Sequence, residues 1–325
     1  MANKNLLIGD IGGTNARFAL ANQMHPGFHE VLELKCKDFE TSSDAIRHYL
    51  TEVGVSAPDA ICLAAAGPLV DHSIKVTNNH WSLSCASIAS EVDLDAVRLV
   101  NDFEAIAYSI PFIGAEDRTT IGTPTGIDLD NRDFDVAILG PGTGLGVAGL
   151  GGVGGRLFAM PGEGGHVGFA PETERQMQLL AALRRRFNRV SAERLVAGSG
   201  IENIYLALLD LASQPPEPLS APEVFAAASK SAIAAEAVDL FFQILGQVAG
   251  DLALTLGAFD GVYIAGGIAK RYPDVLCDGT FRAAFEAKGR HGHIMGRIPT
   301  YLITHPQPGL LGASYLAQNL TPASA

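Results

Sequence analysis

Apolar residues fall along this chain in two rhythms. Short continuous runs that end in glycine or an acid mark buried strands, and apolar positions three and four apart mark helices. Leu6–Gly9, Ala60–Ala66, Val97–Val100, Val136–Leu139, Gly261–Ala265 and Thr300–Thr304 read as strands, with Arg17–Ala21 and Val31–Lys35 beside the first. Ser43–Thr51, Glu174–Phe187, Glu202–Ala212 and Pro308–Leu320 read as helices, the first capped by Ser42 or Ser43. Ser231–Leu256 is long, alanine-rich and apolar, the pattern of a helix buried on most sides. No uninterrupted apolar run approaches the ~20 residues that span a bilayer.

Two strand-rich blocks emerge, separated near 111–135. There Pro111, Gly114, Gly122, Pro124 and Gly126 accompany Asp128, Asp130, Asp133 and Asp135, and a domain boundary is expected. The blocks share a grammar. Leu6–Leu20 and Val136–Leu150 both read strand, Gly/Thr turn, strand, and Ile8, Gly12 and Leu20 fall on Ile138, Gly142 and Leu150. This predicts two similar halves, each offering a glycine hairpin to one cleft.

Composition narrows the function. The 325 residues are 47% hydrophobic, which excludes global disorder. A net charge of −12 repels phosphate backbones and anionic lipid, so no nucleic-acid or membrane partner is expected. Cys36, Cys62, Cys85 and Cys277 form no C-x-x-C pair, which argues against a zinc knuckle and a disulfide scaffold. With no signal-peptide pattern at the start, a soluble protein of a reducing compartment is expected. Glycine is enriched, at 36 residues against a usual share of about 7%, and it clusters at the ends of apolar runs.

Those clusters carry the candidate chemistry. Asp10-Ile-Gly-Gly-Thr-Asn15 follows a strand; its glycines open backbone N–H groups to a phosphate, and a carboxylate beside them suits magnesium. Gly140-Pro-Gly-Thr-Gly-Leu-Gly146 is a second such turn, with neither the Walker nor the G-x-G-x-x-G spacing. Asn101-Asp102 ends a buried strand, where α/β folds bind ligands. Asp102 can take a proton from a substrate hydroxyl, or simply cap the helix that follows. Pro161-Gly-Glu-Gly-Gly-His166 sets an acid and an imidazole three apart, suited to sugar hydroxyls or to a plain surface turn. Glu193 reads locally as a first-turn acid. Ile264-Ala-Gly-Gly-Ile268 ends a strand with bare backbone that can lie against a nucleobase or ribose.

In order along the chain, DIGGTNARFAL, TNNHWSLS, NDFEAIA, GPGTGLGVA, PGEGGHVGFAP, SAERLV, GVYIAGGI and PGLLGASYL closely resemble the bacterial-type glucokinase family. The resemblance runs from about residue 5 to about residue 318. It implies an α/β protein of two ribonuclease-H-like (actin-like ATPase) domains with a ligand cleft between them. Residues 1–110 would form a small domain, on which a helix at about 305–325 packs back, and 111–304 a large one.

The family transfers the γ-phosphoryl group of ATP to the 6-hydroxyl of D-glucose. By the same resemblance Asp102 is the catalytic base, and Asn101, Asp102, Glu163, His166 and Glu193 hold the sugar. Gly9, Asp10, Ile11, Gly12, Gly13 and Thr14 form the first ATP-phosphate turn, with Asp10 near Mg²⁺ through water. Gly142, Thr143 and Gly144 form the second phosphate turn, and Gly266 and Gly267 meet the adenosine. A cytoplasmic homodimer is implied. The chain departs from the family at Pro141, where alanine is common and a backbone N–H is lost. It departs again at Ala64–Ala66, which lack a frequent cysteine. It also lacks the cysteine-rich zinc loop of the related kinase-and-repressor family.

Overall fold

The computed structural model describes residues 4–94, 96–122, 129 and 132–320. Pro124, Gly126, Asp128 and Asp130 of the expected boundary lie outside them, as do residues 321–325 of the closing helix. Contacts divide the chain into two units. One holds the residues up to Ala115, together with Ala159–Pro161 and the segment from His305; the other holds Glu116–Phe158 and Gly162–Thr304.

The first unit is built on β1 (Leu6–Ile11), β2 (Asn15–Ala21), β3 (Phe28–Lys35), β4 (Ala60–Ala65), the short β5 (Leu69–Val70), β6 (Ser73–Lys75) and β7 (Ser82–Ser84), and β8 (Val97–Asn101). Its main sheet runs β3-β2-β1-β4-β8, and β5-β6-β7 make a small separate sheet. β1 pairs antiparallel with β2 and parallel with β4, and β4 pairs parallel with β8. Alternation along β1 sorts its side chains. Leu7 and Ile11 enter a buried cluster with Phe18, Ile46, Tyr49 and Trp81, which sends Asp10 to the opposite face. That face is covered by the helix Pro308–Gln318, which also packs on the helix Asp102–Ser109. A Cβ at Gly312 would stand 1.7 Å from the carbonyl oxygen of Ala105, so these two helices touch backbone to backbone.

The second unit repeats the plan with β9 (Arg118–Ile121), β10 (Phe134–Pro141), β11 (Leu145–Val153), β12 (Arg156–Gly162), β13 (Gly261–Ile264) and β14 (Thr300–Ile303). The sheet order is β12-β11-β10-β13-β14-β9. β10 is antiparallel to β11 and parallel to β13, as β1 is to β2 and β4. Each unit therefore carries the ribonuclease-H-like order 3-2-1-4-5, and β9 extends the second sheet antiparallel to β14. The helix Ala232–Leu256 is the apolar segment read in the sequence. It is long and apolar enough to cross a membrane, but 61% of its most apolar window is buried within the protein. It packs on Gly198–Leu211, Thr280–Glu286 and β10, as a core helix does.

One cap here differs from the sequence reading. Thr41, not Ser42 or Ser43, starts the helix Ser42–Glu52, in a reciprocal capping box with Asp44. Ser42 and Ser43 are buried instead. All four cysteines are free.

Candidate active site

In the first unit, the parallel register carries β1, β4 and β8 to a common end, so Asp10, Ala64 and Val100 lie level. The turn Gly12–Thr14 joins β1 to β2. Gly12 donates its N–H to Asn15 O at 2.9 Å, and Cys36 N donates to Thr14 O at 2.9 Å. Asn79 donates its amide to Gly12 O at 3.1 Å, fixing the turn from outside. Thr14 remains exposed at the tip.

Asn101 ends β8 and Asp102 follows it, and here the capping assignment changes. Asn101, not Asp102, is the N-cap: its Oδ1 accepts from Phe103 N at 2.9 Å and from Glu104 N at 3.3 Å. Its Nδ2 donates to Gly67 O at 3.0 Å, and the amide also hydrogen-bonds the neighbouring Asp102 carboxyl. Asp102 is thereby the first helical residue, and its Oδ1 accepts from Phe103 N at 3.0 Å. Burial pushes its carboxyl up to about 7, and the negative charge of Asp10 adds to the effect. The Asp10 carboxylate itself lies against Gly309 in the first turn of the closing helix. A Cβ there would be 3.0 Å from it.

In the second unit, the turn Gly142–Gly144 joins β10 to β11. Gly142 N donates to Gly144 O at 2.8 Å, and Gly198 N donates to Gly142 O at 2.8 Å, tying the turn to the start of Gly198–Leu211. Glu193, in a short 3-10 turn at Ala192–Arg194, accepts the N–H of Leu145 on Oε2 at 2.8 Å. Its Oε1 is 4.0 Å from Nδ1 of His166, and the other ring nitrogen of His166 is 3.9 Å from Glu163 Oε2. Arg189 donates to His166 O at 2.8 Å. Gly266 and Gly267 sit where β13 ends. Gly266 has φ 89°, and a Cβ on it would be 2.4 Å from Pro141 O. Pro141 lies just past the parallel β10–β13 ladder, which stops at Leu139 and Ile264.

The expected residues thus fall into two groups. Asp10, the Gly12–Thr14 turn, Asn101 and Asp102 gather in the first unit. Gly142–Gly144, Glu163, His166, Glu193, Gly266 and Gly267 gather in the second. Asn79 and Arg189 were not singled out from the sequence. Asn79 stands inside TNNHW, a string with no local pattern that gives the amide a task. Arg189 follows a helix rich in arginine, where one more cation carries no signal.

A family model described as glucokinase matches residues 7–320. The chain belongs to the glucokinase family. A glucokinase of Yersinia pestis (strain Pestoides F) is 42% identical over 320 residues, 97% of each chain. Among solved structures, a glucokinase from an Antarctic psychrotroph superposes with a TM-score of 0.88 at 30% identity, over 98% of this chain and 99% of that one. The glucokinase of Balamuthia mandrillaris, solved in complex with glucose, gives 0.80 at 26% identity, over 97% of this chain and 94% of that one. The actin-like ATPase fold of these sugar kinases is the fold of this chain.

Proposed function

We infer that the chain is a glucokinase in its activity as in its family, transferring the γ-phosphoryl group of ATP to D-glucose. The observation that carries this is 42% identity to a glucokinase across 97% of both chains. A relative at 26% identity with glucose bound supports the sugar.

The finer assignments rest on the resemblance and on local chemistry. Asp102 is the general base, taking the proton of the 6-hydroxyl. A carboxyl held at about 7 matches that task at neutral pH, being half ionised yet a stronger base than an ordinary aspartate. Phosphoryl transfer asks the rest of the protein mainly for positioning and charge stabilisation. Asn101, Glu163, His166 and Glu193 hold sugar hydroxyls, each of which costs roughly 1–3 kcal/mol if buried without a partner. Gly9, Asp10 and Ile11 are paired on both sides within β1, so in the first unit it is the Gly12–Thr14 turn that presents backbone N–H groups to phosphates. Gly142–Gly144 does so in the second, and Gly266 and Gly267 leave bare backbone for the adenosine.

Magnesium fits these residues in one way. The described residues hold no cluster of three or more His, Cys, Asp or Glu that would cage a metal. Asp10, close enough to Asp102 to raise its pKa, suits an ion that keeps its waters and takes its other oxygens from substrate. Asp10 would hold it through water, and bound Mg²⁺ would supply charge neutralisation at the phosphates. A homodimer in the cytoplasm completes the proposal.

Release of ADP from Mg-ATP with and without D-glucose tests the reading, with glucose-dependent release expected. Asp102→Ala should lower kcat at least 10³-fold while glucose binding persists. Near-normal kcat in that variant would remove Asp102 from the role of base.

A further inference from the structure

Glu193 stands in two places at once. Its Oε2 accepts the N–H of Leu145 at 2.8 Å, the residue that directly follows the Gly142–Gly144 turn. Its Oε1 faces His166 Nδ1 at 4.0 Å. The backbone repeats the link. Ala192 N donates to Val167 O at 2.9 Å, and Gly168 bridges to Ser191. A Cβ at Gly165 would stand 2.2 Å from Leu145 O, so the His166 loop also rests directly on the turn's exit. The glycine turn, the Glu193 segment and the Glu163–His166 loop therefore form a closed ring in which each member touches both others. Gly144 completes it from the other side. A Cβ there would come within 2.5 Å of Glu193 Oε2, so the carboxylate occupies the space a side chain would need.

We propose that Glu193 is a strut that couples the phosphate turn to the sugar-holding loop, so that glucose and nucleotide each tighten the binding of the other. The proposal rests on the reading of Glu193 and His166 as sugar contacts and of Gly142–Gly144 as a phosphate turn. A carboxylate fixed by a sugar hydroxyl holds Leu145 N in place, and the turn is then ordered before phosphates arrive. A turn ordered by phosphates holds Glu193 ready for the sugar. The coupling is reciprocal because it is a single free energy seen from two ligands. Glu193 is a positioning residue in this second role, acting on the nucleotide through Leu145.

Calorimetric titration of the full chain with D-glucose, alone and with saturating Mg-ADP, tests the strut. Nucleotide should tighten glucose about 5- to 20-fold, and glucose should tighten ADP by the same factor. Gly144→Ala, made in the nucleotide turn, should weaken glucose binding about 5-fold even with no nucleotide present. Gly142→Ala, in the same turn but with nothing within 4 Å of its Cβ, should leave that nucleotide-free glucose affinity within about twofold. Glu193→Gln keeps an oxygen for Leu145 N, so the coupling factor should survive while glucose affinity falls. Glu193→Ala should bring the factor to about one. An unchanged nucleotide-free glucose affinity in a folded Gly144→Ala protein, or full coupling in Glu193→Ala, overturns the strut. Wild-type protein that binds glucose equally with and without ADP also overturns it. Wild-type protein that binds no glucose overturns the underlying functional reading instead.

Discussion

The two glycine hairpins share one register and solve the placement of a carboxylate in opposite ways. Asp10 and Gly140 occupy the same place, two residues before the turn glycines Gly12 and Gly142. In the first unit the strand keeps its acid, and glycine stands on the facing helix: a Cβ at Gly309 would be 3.0 Å from the Asp10 carboxyl. In the second unit the glycine is in the strand itself, because a Cβ at Gly140 would be 2.6 Å from the backbone of Ala265. The carboxylate beside that turn comes from Glu193, more than forty positions on, through its bond to Leu145 N. A charge can be written into a strand only where the neighbouring element leaves it room. Where strand ends close on one another, another segment must supply it.

The largest way to break this comparison is to remove the charge that the first hairpin owns. Asp10→Asn should lower kcat about 10²–10³-fold. It should also move the acid limb of kcat/KM. In the wild type that limb should rise through about pH 7, because Asp102 must be ionised to act as base. Without the neighbouring negative charge the ionised form is easier to reach, so the limb should shift to lower pH. A limb that stays in place would show that burial alone sets it.

Next in size is the crowding of Asp10 without loss of its charge. Gly309→Ala places a methyl 3.0 Å from the carboxyl and should cost about tenfold in kcat, through displacement of the acid. Steady-state kinetics beside an unchanged circular dichroism spectrum would separate this from unfolding.

Asp102→Asn sharpens the electrostatic half of the contrast. An acid whose folded value lies above its unfolded one is fully accommodated below about pH 4. It then costs the folded state progressively more up to about pH 7, where the cost levels off. The substitution should therefore stabilise by roughly 2–4 kcal/mol at pH 8, less at pH 5, and not at all below pH 4. Denaturant titrations at those three pH values give the slope directly. The smallest effect is expected at Pro141→Ala. The position lies beyond the β10–β13 ladder, so a restored N–H should change the KM for ATP by no more than about twofold. A tenfold gain would mean that the family's N–H at this place reaches the phosphates.

The hairpins, the Asn101-Asp102 strand end and the buried Ala232–Leu256 helix were legible because each is a local pattern of period, turn residue and strand exit. What was not legible depended on distance through space. Asn101 and Asp102 are both good caps, and only the point where β8 stops decides between them. Thr41 displaced Ser42 and Ser43 because those serines face inward under the helix. Gly144 looked like a phosphate-turn glycine, and nothing in its neighbours could say that Glu193 fills the space beside it. The small β5-β6-β7 sheet escaped notice because its strands are two or three residues long.

The closing helix carries a consequence for biosynthesis. It covers β1, yet the whole second unit is made between β1 and Pro308–Gln318. At about 5–20 residues per second the exposed face of β1 and β4 waits on the order of 15 seconds or more for its cover. Throughout that wait the nascent first unit is an open sheet that needs shielding from other chains. The second unit, whose β10–β14 and helices emerge in sequence, can finish beforehand. The unit that starts first is completed last, and a stop codon ahead of Pro308 would leave it permanently unsealed.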